Sequence, residues 1–446
     1  MGKIASALLL IAIISSCGSK TKGVKGLNMA YLYQVEGQVV RADFALQRTS
    51  ADSALLYYTF HANDLLFVRD NNNGELRGSI HFEYKLLGTI NDKLPLDTGS
   101  FSLNNINQKN QRVMGKYPVY LGNLIGRNDD AVLVVSTRDV NRNFKMVSFV
   151  KVQNAHEEQA QNWRVTRGER ELLSPFFQVG DSISIRHRST SYERLTVDYF
   201  KNTYGLALPP FSAREVSERQ NFHPDSTFTI RSSSPMLLTM PGIYHVRRST
   251  DKPFGKSIYV MEGHYPLITS KNELVGPMRY ITTKREYAQL VASDDPDEIK
   301  KAVDRFWLER GRSVEKAKNL ISAFYGRVEK SNLLFSSYKE GWKTDRGLIF
   351  TIFGPPNIVT PTDEGERWVY GDESAHLSYN FNFVRISNPF TDNDYELIRD
   401  EGYRYGWGMA IEAWRMGKVY NVKDIKREQD ERDQQIRLRQ QPYFWY

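Results

Sequence analysis

Apolar and polar residues alternate with a period of two from Ala30 to about Val152, and many of the apolar residues are β-branched or aromatic. This pattern predicts half-buried β-strands. Turn-forming residues separate seven such segments, at 39–46, 54–60, 65–69, 76–86, 117–124, 131–137 and 145–152. We therefore expect a first mainly-β unit over residues 28–160.

A second β-rich stretch runs from Trp163 to Tyr265. Residues 179–185 alternate strictly, and three further strand candidates follow at 195–200, 226–230 and 241–246. Proline interrupts the run at Pro209, Pro210 and Pro235, where central strands are not expected. Several short strands at this spacing are typical of an immunoglobulin-like sandwich. We predict that residues 161–266 form a second unit of this type, beside a first unit of the same class.

The period becomes helical after Pro266. Residues 284–292 predict one helix, and Asp295 followed by Pro296 marks the start of another, with Gly311 just past its end. Ser313 can cap a third helix, in which apolar residues recur at helical spacing: Val314, Ala317, Leu320, Ile321, Phe324 and Val328. Such a stripe is more typical of core packing than of a cofactor site.

The heptapeptide Gly341-Trp342-Lys343-Thr344-Asp345-Arg346-Gly347 follows these helices. The apolar run 348–353 after it predicts a strand, which ends at the turn Gly354-Pro355-Pro356. Residues 366–370, with Trp368 and Tyr370, and residues 377–384 predict a strand pair. Helices followed by a small antiparallel sheet give an α+β C-terminal domain, over residues 267–446.

Two charged segments and an aromatic tail complete this domain. Residues 392–396 contain three carboxylates, which could bind a cation or act in acid–base chemistry but are also favoured in the first turn of a helix. We predict a helix start there. Residues 423–439 predict a solvated helix with oppositely charged residues four positions apart. The tail Pro442-Tyr443-Phe444-Trp445-Tyr446 is expected to dock on the chain's own surface or on a partner.

The composition of the chain excludes several classes of protein. Its 446 residues are 40% hydrophobic and 12% aromatic, which is incompatible with disorder along most of its length. A disulfide framework is impossible with one cysteine. Past the N-terminus, no apolar run approaches the roughly 20 residues that span a bilayer as a helix.

The N-terminus predicts export and a lipid anchor. Lys3 precedes an apolar stretch at 4–14, and Ile14-Ser15-Ser16-Cys17 resembles a bacterial lipobox. The resemblance implies removal of residues 1–16 and acylation of Cys17, whereas an ordinary secretory signal with an incidental cysteine is the alternative. Residues 17–27 form a flexible cationic tether without acidic residues, unlike the surface-exported lipoproteins of Bacteroidetes. We expect an outer-membrane lipoprotein that faces the periplasm.

The heptapeptide, the glycine-proline turn and the Trp-x-Tyr strand resemble, in this order, the GWxTD-domain family of Bacteroidetes lipoproteins. Gly341, Trp342, Thr344 and Asp345 are the residues that give this family its name. The resemblance covers roughly residues 277–417. It implies a compartment and a domain but no reaction, because the molecular activity of the family is not established.

Physical chemistry gives the heptapeptide two interpretations. In the structural one, Thr344 and Asp345 accept backbone N–H groups, glycine permits unusual backbone angles, and tryptophan covers the core. In the functional one, Trp342, Lys343, Asp345 and Arg346 form a partner-contact patch, since tryptophan and arginine often anchor interfaces. The candidate motif residues are Gly341, Trp342, Lys343, Thr344, Asp345, Arg346, Gly347, Gly354, Pro355, Trp368 and Tyr370.

The sequence contains no motif that predicts catalysis, a metal or a nucleotide. The histidines are not at metal-binding spacing, and residues 70–74 lack the spacing of a calcium loop. Gly255-Lys256-Ser257 has Thr250 where a phosphate-binding loop requires glycine. We therefore expect no cofactor.

The net charge of +8 favours an acidic neighbour. Arg186, Arg188, Arg247 and Arg248 form a candidate basic patch on the second unit. In an exported protein such a patch indicates lipopolysaccharide, phospholipid or an acidic protein surface, and not nucleic acid.

The expected function is that of a non-enzymatic scaffold or accessory subunit of a cell-envelope complex, in outer-membrane assembly, secretion or gliding. A module that binds an envelope glycan or lipid is the alternative. A hydrolase of an envelope polymer, acting through Glu366, Asp392 and Asp394, is the third hypothesis.

Overall fold

The computed structural model describes residues 28–427, except 34–39, 41, 70–73, 90–91, 108–109, 128, 143, 155–159, 189–193, 202–203, 214–221, 249–253, 363, 372–377, 422–423 and 426. The signal peptide, Cys17, the tether, nearly all of the charged segment at 423–439 and the aromatic tail therefore lie outside the described residues. Of the predicted loops, 70–73 and 372–377 also lie outside them.

The first part of the chain folds into two antiparallel sheets. Their strands are β1 (Ala42–Arg48), β2 (Ser53–His61), β3 (Val68–Arg69), β4 (Leu76–Leu87), β5 (Asp97–Ile106), β6 (Arg112–Tyr120), β7 (Ala131–Asp139) and β8 (Phe144–Val152). One sheet has the order β1-β2-β6; the other has the order β3-β4-β7-β8, and β5 also pairs with β4. Side chains from both sheets, among them Leu56 and Phe82, share one core. The predicted segments overlap each of these strands except β5, whose residues 97–100 are mostly polar. The segment predicted at 117–124 overlaps β6 only at residues 117–120, and residues 122–124 form a 3₁₀ turn.

The second part also contains two sheets with a shared core. Its strands are β9 (Trp163–Arg167), β10 (Arg170–Glu171), β11 (Phe176–Gln178), β12 (Ser182–His187), β13 (Arg194–Phe200), β14 (Ser226–Arg231), β15 (Pro235–Leu237), β16 (Gly242–Arg247) and β17 (Lys256–Met261). The sheet orders are β10-β9-β12-β15 and β11-β17-β16-β13-β14. Ile185 from the first and Val246 from the second are buried in the core between them. Pro235 begins an edge strand, where its missing N–H breaks no ladder.

Helices and a four-stranded antiparallel sheet form the third part. The elements are α1 (Val275–Met278), α2 (Lys284–Leu290), α3 (Pro296–Gly311), α4 (Val314–Phe335), α5 (Asp345–Phe353), β18 (Ile358–Pro361), β19 (Gly365–Gly371), β20 (Ser378–Arg385), β21 (Tyr395–Leu397) and α6 (Tyr403–Arg415). The sheet order is β18-β19-β20-β21. The chain thus has mostly β structure first, followed by helices and a small antiparallel sheet. This order confirms the coarse prediction of the architecture.

Capping side chains place the helix starts where the sequence predicted them. Asp295 accepts the N–H of Asp297 at 2.9 Å, and Pro296 occupies the first helical position of α3. Ser313 accepts the N–H of Lys316 at the start of α4. These caps satisfy backbone donors that have no partner within the helix.

Two predictions in the third part are wrong. Residues 348–353 form most of helix α5 and not a strand. All six are buried, and a run in which Thr351 is the one polar residue has no period that separates the two structures. Residues 392–396 do not start a helix, because β21 begins at Tyr395 and the next helix, α6, begins only at Tyr403.

The loop between β20 and β21 joins the third part to both β-rich parts. The ring of Phe390 lies 4.9 Å from that of Phe200 and 4.7 Å from that of Phe222, and its carbonyl accepts the hydroxyl of Tyr259 at 2.9 Å. Asp392, two residues on, pairs with Lys151 of β8 at 3.1 Å. The β20–β21 loop therefore links the third part of the chain to both of the β-rich parts.

We expect Phe390→Ala to lower the free energy of unfolding by about 3 kcal/mol, because it leaves a cavity among aromatic rings at this junction. Chemical denaturation monitored by circular dichroism measures the change. The matched control is Phe228→Ala on β14, where 38% of the residue is exposed and the expected loss is below about 1 kcal/mol. Equal losses for the two variants would contradict the junction's role.

Candidate functional site

The heptapeptide 341–347 connects α4 to α5 through one 3₁₀ turn, Gly341–Lys343. The turn presses directly on the α4 backbone: a Cβ on Gly341 would lie 1.9 Å from the carbonyl oxygen of Ser331. A Cβ on Gly347 would lie 1.8 Å from the carbonyl oxygen of Gly341. Both contacts are far shorter than a side-chain carbon permits, so glycine is required at both positions.

Hydrogen bonds close the same turn. Thr344 caps α5, since its hydroxyl accepts the N–H of Gly347 at 3.1 Å and donates to the carbonyl of Gly341 at 2.7 Å. The N–H of Trp342 donates to Asn332 Oδ1 at 3.2 Å, and its carbonyl accepts the hydroxyl of Tyr280. The indole is 8% exposed and lies against Gly276. Thr344 thus closes the turn as the structural interpretation expects. The expected helix-to-strand connection is wrong, because the turn joins helix α4 to helix α5. Neither Gly341 nor Gly347 has a positive φ, so close packing and not an unusual backbone angle requires glycine there.

Asp345 ties the start of α5 to strand β21. Its Oδ1 pairs with Arg399 Nη2 at 2.6 Å, and its Oδ2 accepts the N–H of Leu397 at 2.7 Å. The side chains of Asp345 and Arg399 are each 8% exposed. A buried pair in this geometry is strongly destabilised when one partner is removed.

Arg346 contacts strands β19 and β21. Its Nη1 lies 3.3 Å from Glu366 Oε1, and its guanidinium lies 3.7 Å from the ring centroid of Tyr395. Glu366 also accepts the hydroxyl of Tyr33 at 2.8 Å and the indole N–H of Trp368 at 2.9 Å. Burial and the Glu366 carboxylate raise the pKa of Tyr33 well above its usual value, which keeps its hydroxyl a donor. Glu366 is thus bonded within the chain by Arg346, Tyr33 and Trp368.

The other two carboxylates of the hydrolase hypothesis are also engaged. Asp392 accepts from Lys151 and from the amide of Gln153. Asp394 accepts the Asn388 amide at 2.9 Å, while burial raises its pKa. Their contacts account for both residues as parts of the loop that joins the units.

The glycine-proline turn ends α5. Gly354 has a φ of 83° and lies beside the guanidinium of Arg327, where glycine avoids both strain and a clash. The hydroxyl of Tyr370 donates to the carbonyl of Gly354 at 2.8 Å. Trp368 and Tyr370 are fully buried, and Pro355 is exposed.

The structure does not bring the candidate basic patch together. On β12, Ile183 and Ile185 face the shared core, so Arg186 points outward from that sheet. On β16, Tyr244 and Val246 face the same core, so Arg247 points outward from the other sheet, where it pairs with Asp198 at 2.5 Å. Arg188 and Arg248 follow the ends of the same two strands. Arg186 and Arg247 therefore lie on opposite outer faces of the two packed sheets.

A cleft of about 850 Å³ opens beside the heptapeptide, and we name it the interunit cleft. One wall consists of residues at the ends of β13, β16 and β17, and the other consists of residues near α1, α4 and the 3₁₀ turn. Its lining residues are Tyr199, Lys201, Asp225, Met240, Pro241, Val260, Met261, Glu262, Gly263, Tyr265, Ile268, Ser270, Glu273, Gly276, Asn332, Glu340, Trp342 and Lys343. The sequence analysis missed it because these residues come from separate segments without a local pattern.

Carboxylates dominate the charge of the interunit cleft. Glu340 Oε1 pairs with Lys343 at 2.8 Å, whereas its Oε2 is buried and has no hydrogen-bond donor in the described part of the chain. Glu273 accepts the N–H groups of Thr269 and Ser270. A buried anionic oxygen without a hydrogen-bond donor is energetically unfavourable. Glu340 Oε2 is therefore an unsatisfied hydrogen-bond acceptor.

The sequence analysis also missed a serine–histidine–glutamate arrangement on the first sheet pair. His81 Nδ1 lies 2.8 Å from Ser102 Oγ, and its Nε2 lies 3.5 Å from Glu83 Oε1. Strand β4 pairs with β5 on one side and β7 on the other, so its backbone N–H groups are engaged in the sheet and supply no oxyanion hole. We interpret the arrangement as a surface hydrogen-bond network.

Among the described residues, no group of three or more His, Cys, Asp or Glu side chains is placed to hold a metal ion. None of the helices in the same part of the chain is both long enough and apolar enough to span a bilayer.

Residues 242–416 match the family model of the GWxTD domain, so the chain contains a GWxTD domain. The match begins earlier than the resemblance indicated and takes in β16 and β17. Red sea bream transglutaminase, a solved structure, is similar at 7% identity with a TM-score of 0.18, over 50% of this chain and 32% of the enzyme. The chain thus spans about a third of that protein's length, and so low a score carries no argument. No curated protein matches the chain.

We expect Gly347→Ala to destabilise the protein by about 3 kcal/mol or more, since the added carbon collides with backbone that cannot move aside. Gly326→Ala in α4 is the matched control: a Cβ there meets nothing within 4 Å. In a helix interior this control is expected to stabilise by about 0.5–1 kcal/mol. Denaturant titration of both variants measures the difference, and a neutral Gly347→Ala would refute the requirement for glycine.

Proposed function

We propose that this protein is an outer-membrane lipoprotein, anchored through acylated Cys17 and facing the periplasm. It acts as a non-enzymatic scaffold or accessory subunit of a cell-envelope complex in outer-membrane assembly, secretion or gliding. The anchor places the folded units at the inner face of the membrane, and the tether lysines add attraction to anionic head groups.

The observation that carries this proposal is the internal use of the GWxTD motif. Asp345 and Arg346 are buried in ion pairs with Arg399 and Glu366, and the carboxylates of the hydrolase hypothesis have partners within the chain. Residues that could perform acid–base chemistry therefore hold elements together. The residues of the GWxTD motif thus stabilise the domain itself. We take this structural use of the motif as support for a scaffold, which presents surfaces to partners.

The contacts of the β20–β21 loop support the scaffold role. Phe390 packs on the second part and Asp392 pairs with the first, so surfaces on all three parts keep a fixed spacing. We propose that the two β-rich parts are immunoglobulin-like sandwiches, modules that commonly serve recognition or spacing.

The alternative is a module that binds an envelope glycan or lipid. The interunit cleft supports it through its size, which lies within the range of about 300–1,000 Å³ that small-molecule sites occupy.

Affinity purification of the tagged lipoprotein from gently solubilised native outer membranes tests the proposal. Mass spectrometry and size-exclusion chromatography are expected to show a near-stoichiometric envelope protein. The Cys17→Ser variant is the control for anchoring and is expected to leave the membrane fraction. Recovery of the lipoprotein alone, in a particle of monomer size, would contradict the scaffold role and favour the glycan or lipid alternative.

A further inference from the structure

We propose that the interunit cleft binds an extended basic segment of a partner protein. A lysine or arginine of this segment lies among the carboxylates of the cleft, and an adjacent apolar side chain of the segment lies against the apolar residues that line the cleft. The inference rests on the proposed function, since it names the chemistry by which the scaffold recognises one partner.

The charge of the interunit cleft is opposite to that of the whole chain. The sequence carries a net charge of +8, yet the cleft is lined by four carboxylates and two lysines. The carboxylates are Asp225, Glu262, Glu273 and Glu340, and the lysines are Lys201 and Lys343. Acidic lining in a cationic protein concentrates attraction for positive ligands at one place and repels acidic ones.

Two of these carboxylates have oxygens available to a ligand. Glu262 is exposed, and among the described residues it has no ion-pair partner. Glu340 Oε2 is buried without a donor, although Oε1 of the same carboxylate pairs with Lys343. A guanidinium or ammonium group entering the cleft would supply donors to a carboxylate there, and charge-assisted hydrogen bonds of this kind are the stronger ones.

Apolar residues also line the interunit cleft. Trp342, Met261 and Ile268 are among them, and Met240 is 47% exposed. Methionine fits varied partners because its side chain is unbranched and polarisable. An apolar side chain next to the basic one would bury these apolar lining residues, whereas a cation without an apolar neighbour would leave them exposed to water.

The size of the interunit cleft fits a peptide segment. About 850 Å³ is near the upper end of the range for small-molecule sites, so the cleft holds several residues and not one side chain alone. Its two walls belong to different parts of the fold, and a segment lying between them contacts the GWxTD motif and the second β-rich part together.

Site-specific photo-crosslinking in the full-length lipoprotein, in native membranes, tests the inference. The photoreactive residue benzoylphenylalanine replaces Met240 at the cleft, and Leu94, which is 82% exposed on the first β-rich part, is the control position. From Met240, mass spectrometry is expected to identify a partner peptide that contains lysine or arginine beside an apolar residue. The Leu94 position is expected not to capture this peptide.

Charge reversal provides the second arm. Glu262→Lys is expected to reduce the crosslink from Met240 at least about fivefold, because like charges would then face each other. Glu169→Lys is the matched control, an exposed glutamate in the β9–β10 turn of the same part, and is expected to leave the yield unchanged. Raising the salt concentration is expected to weaken the wild-type crosslink as well.

The outcomes separate this inference from the proposed function. One outcome is that a partner co-purifies, but its crosslink yield is unchanged by Glu262→Lys or is equal from the Leu94 position. In that case the cleft proposal fails and the scaffold role stands. If no protein co-purifies and none is crosslinked, both fail. Crosslinks to the chain's own residues 18–27, to a glycan or to a lipid would also overturn the assignment to a basic partner segment.

Discussion

Two consecutive buried charges, Asp345 and Arg346, determine how the small sheet of the GWxTD domain sits on its helices. Asp345 pairs with Arg399 beyond β21, and Arg346 pairs with Glu366 on β19. A buried charge without a partner costs several kcal/mol, so each pair admits one arrangement of helix α5 against the sheet. Asp345 also lies at the start of α5, where a negative charge is favoured by the helix dipole.

The glycine contacts make this arrangement possible and also shape the surface beside it. Gly341 brings the turn against the α4 backbone, and Gly347 brings the start of α5 against the turn, so no space remains for a side chain at either position. The chain therefore directs Trp342 and Lys343 toward the other side, where they line the interunit cleft. The 3₁₀ turn therefore has two roles. It positions the buried charged pairs of the core, and it contributes residues to one wall of the interunit cleft.

Local chemistry allowed much of the fold to be predicted from the sequence. Asp295, Pro296 and Ser313 mark helix starts because their effect extends over only three residues, and strict alternation reveals strands with one buried face. The run 348–353 was misassigned because a helix buried on all sides has no polar face. The acidic residues at 392–396 were misassigned partly because Asp392 pairs with Lys151, 241 residues away in the sequence.

The candidate site was predictable only in part. The heptapeptide was recognisable, and the capping role of Thr344 follows from its side chain. The partners Arg399 and Glu366 could not be identified, since long-range pairing leaves no mark on the neighbouring sequence. The interunit cleft and the separation of Arg186 from Arg247 depend on how sheets and helices pack, which one sequence does not encode in any local pattern.

A double-mutant cycle on Asp345 and Arg399 tests the central claim most directly. The free energies of unfolding of Asp345→Ala, Arg399→Ala and the double variant would be compared with that of the wild type. The account predicts large single losses and a coupling energy of about 1–3 kcal/mol, with partner recovery retained by the folded fraction. Additive, small losses combined with complete loss of partner recovery would contradict it and make the GWxTD motif a contact site.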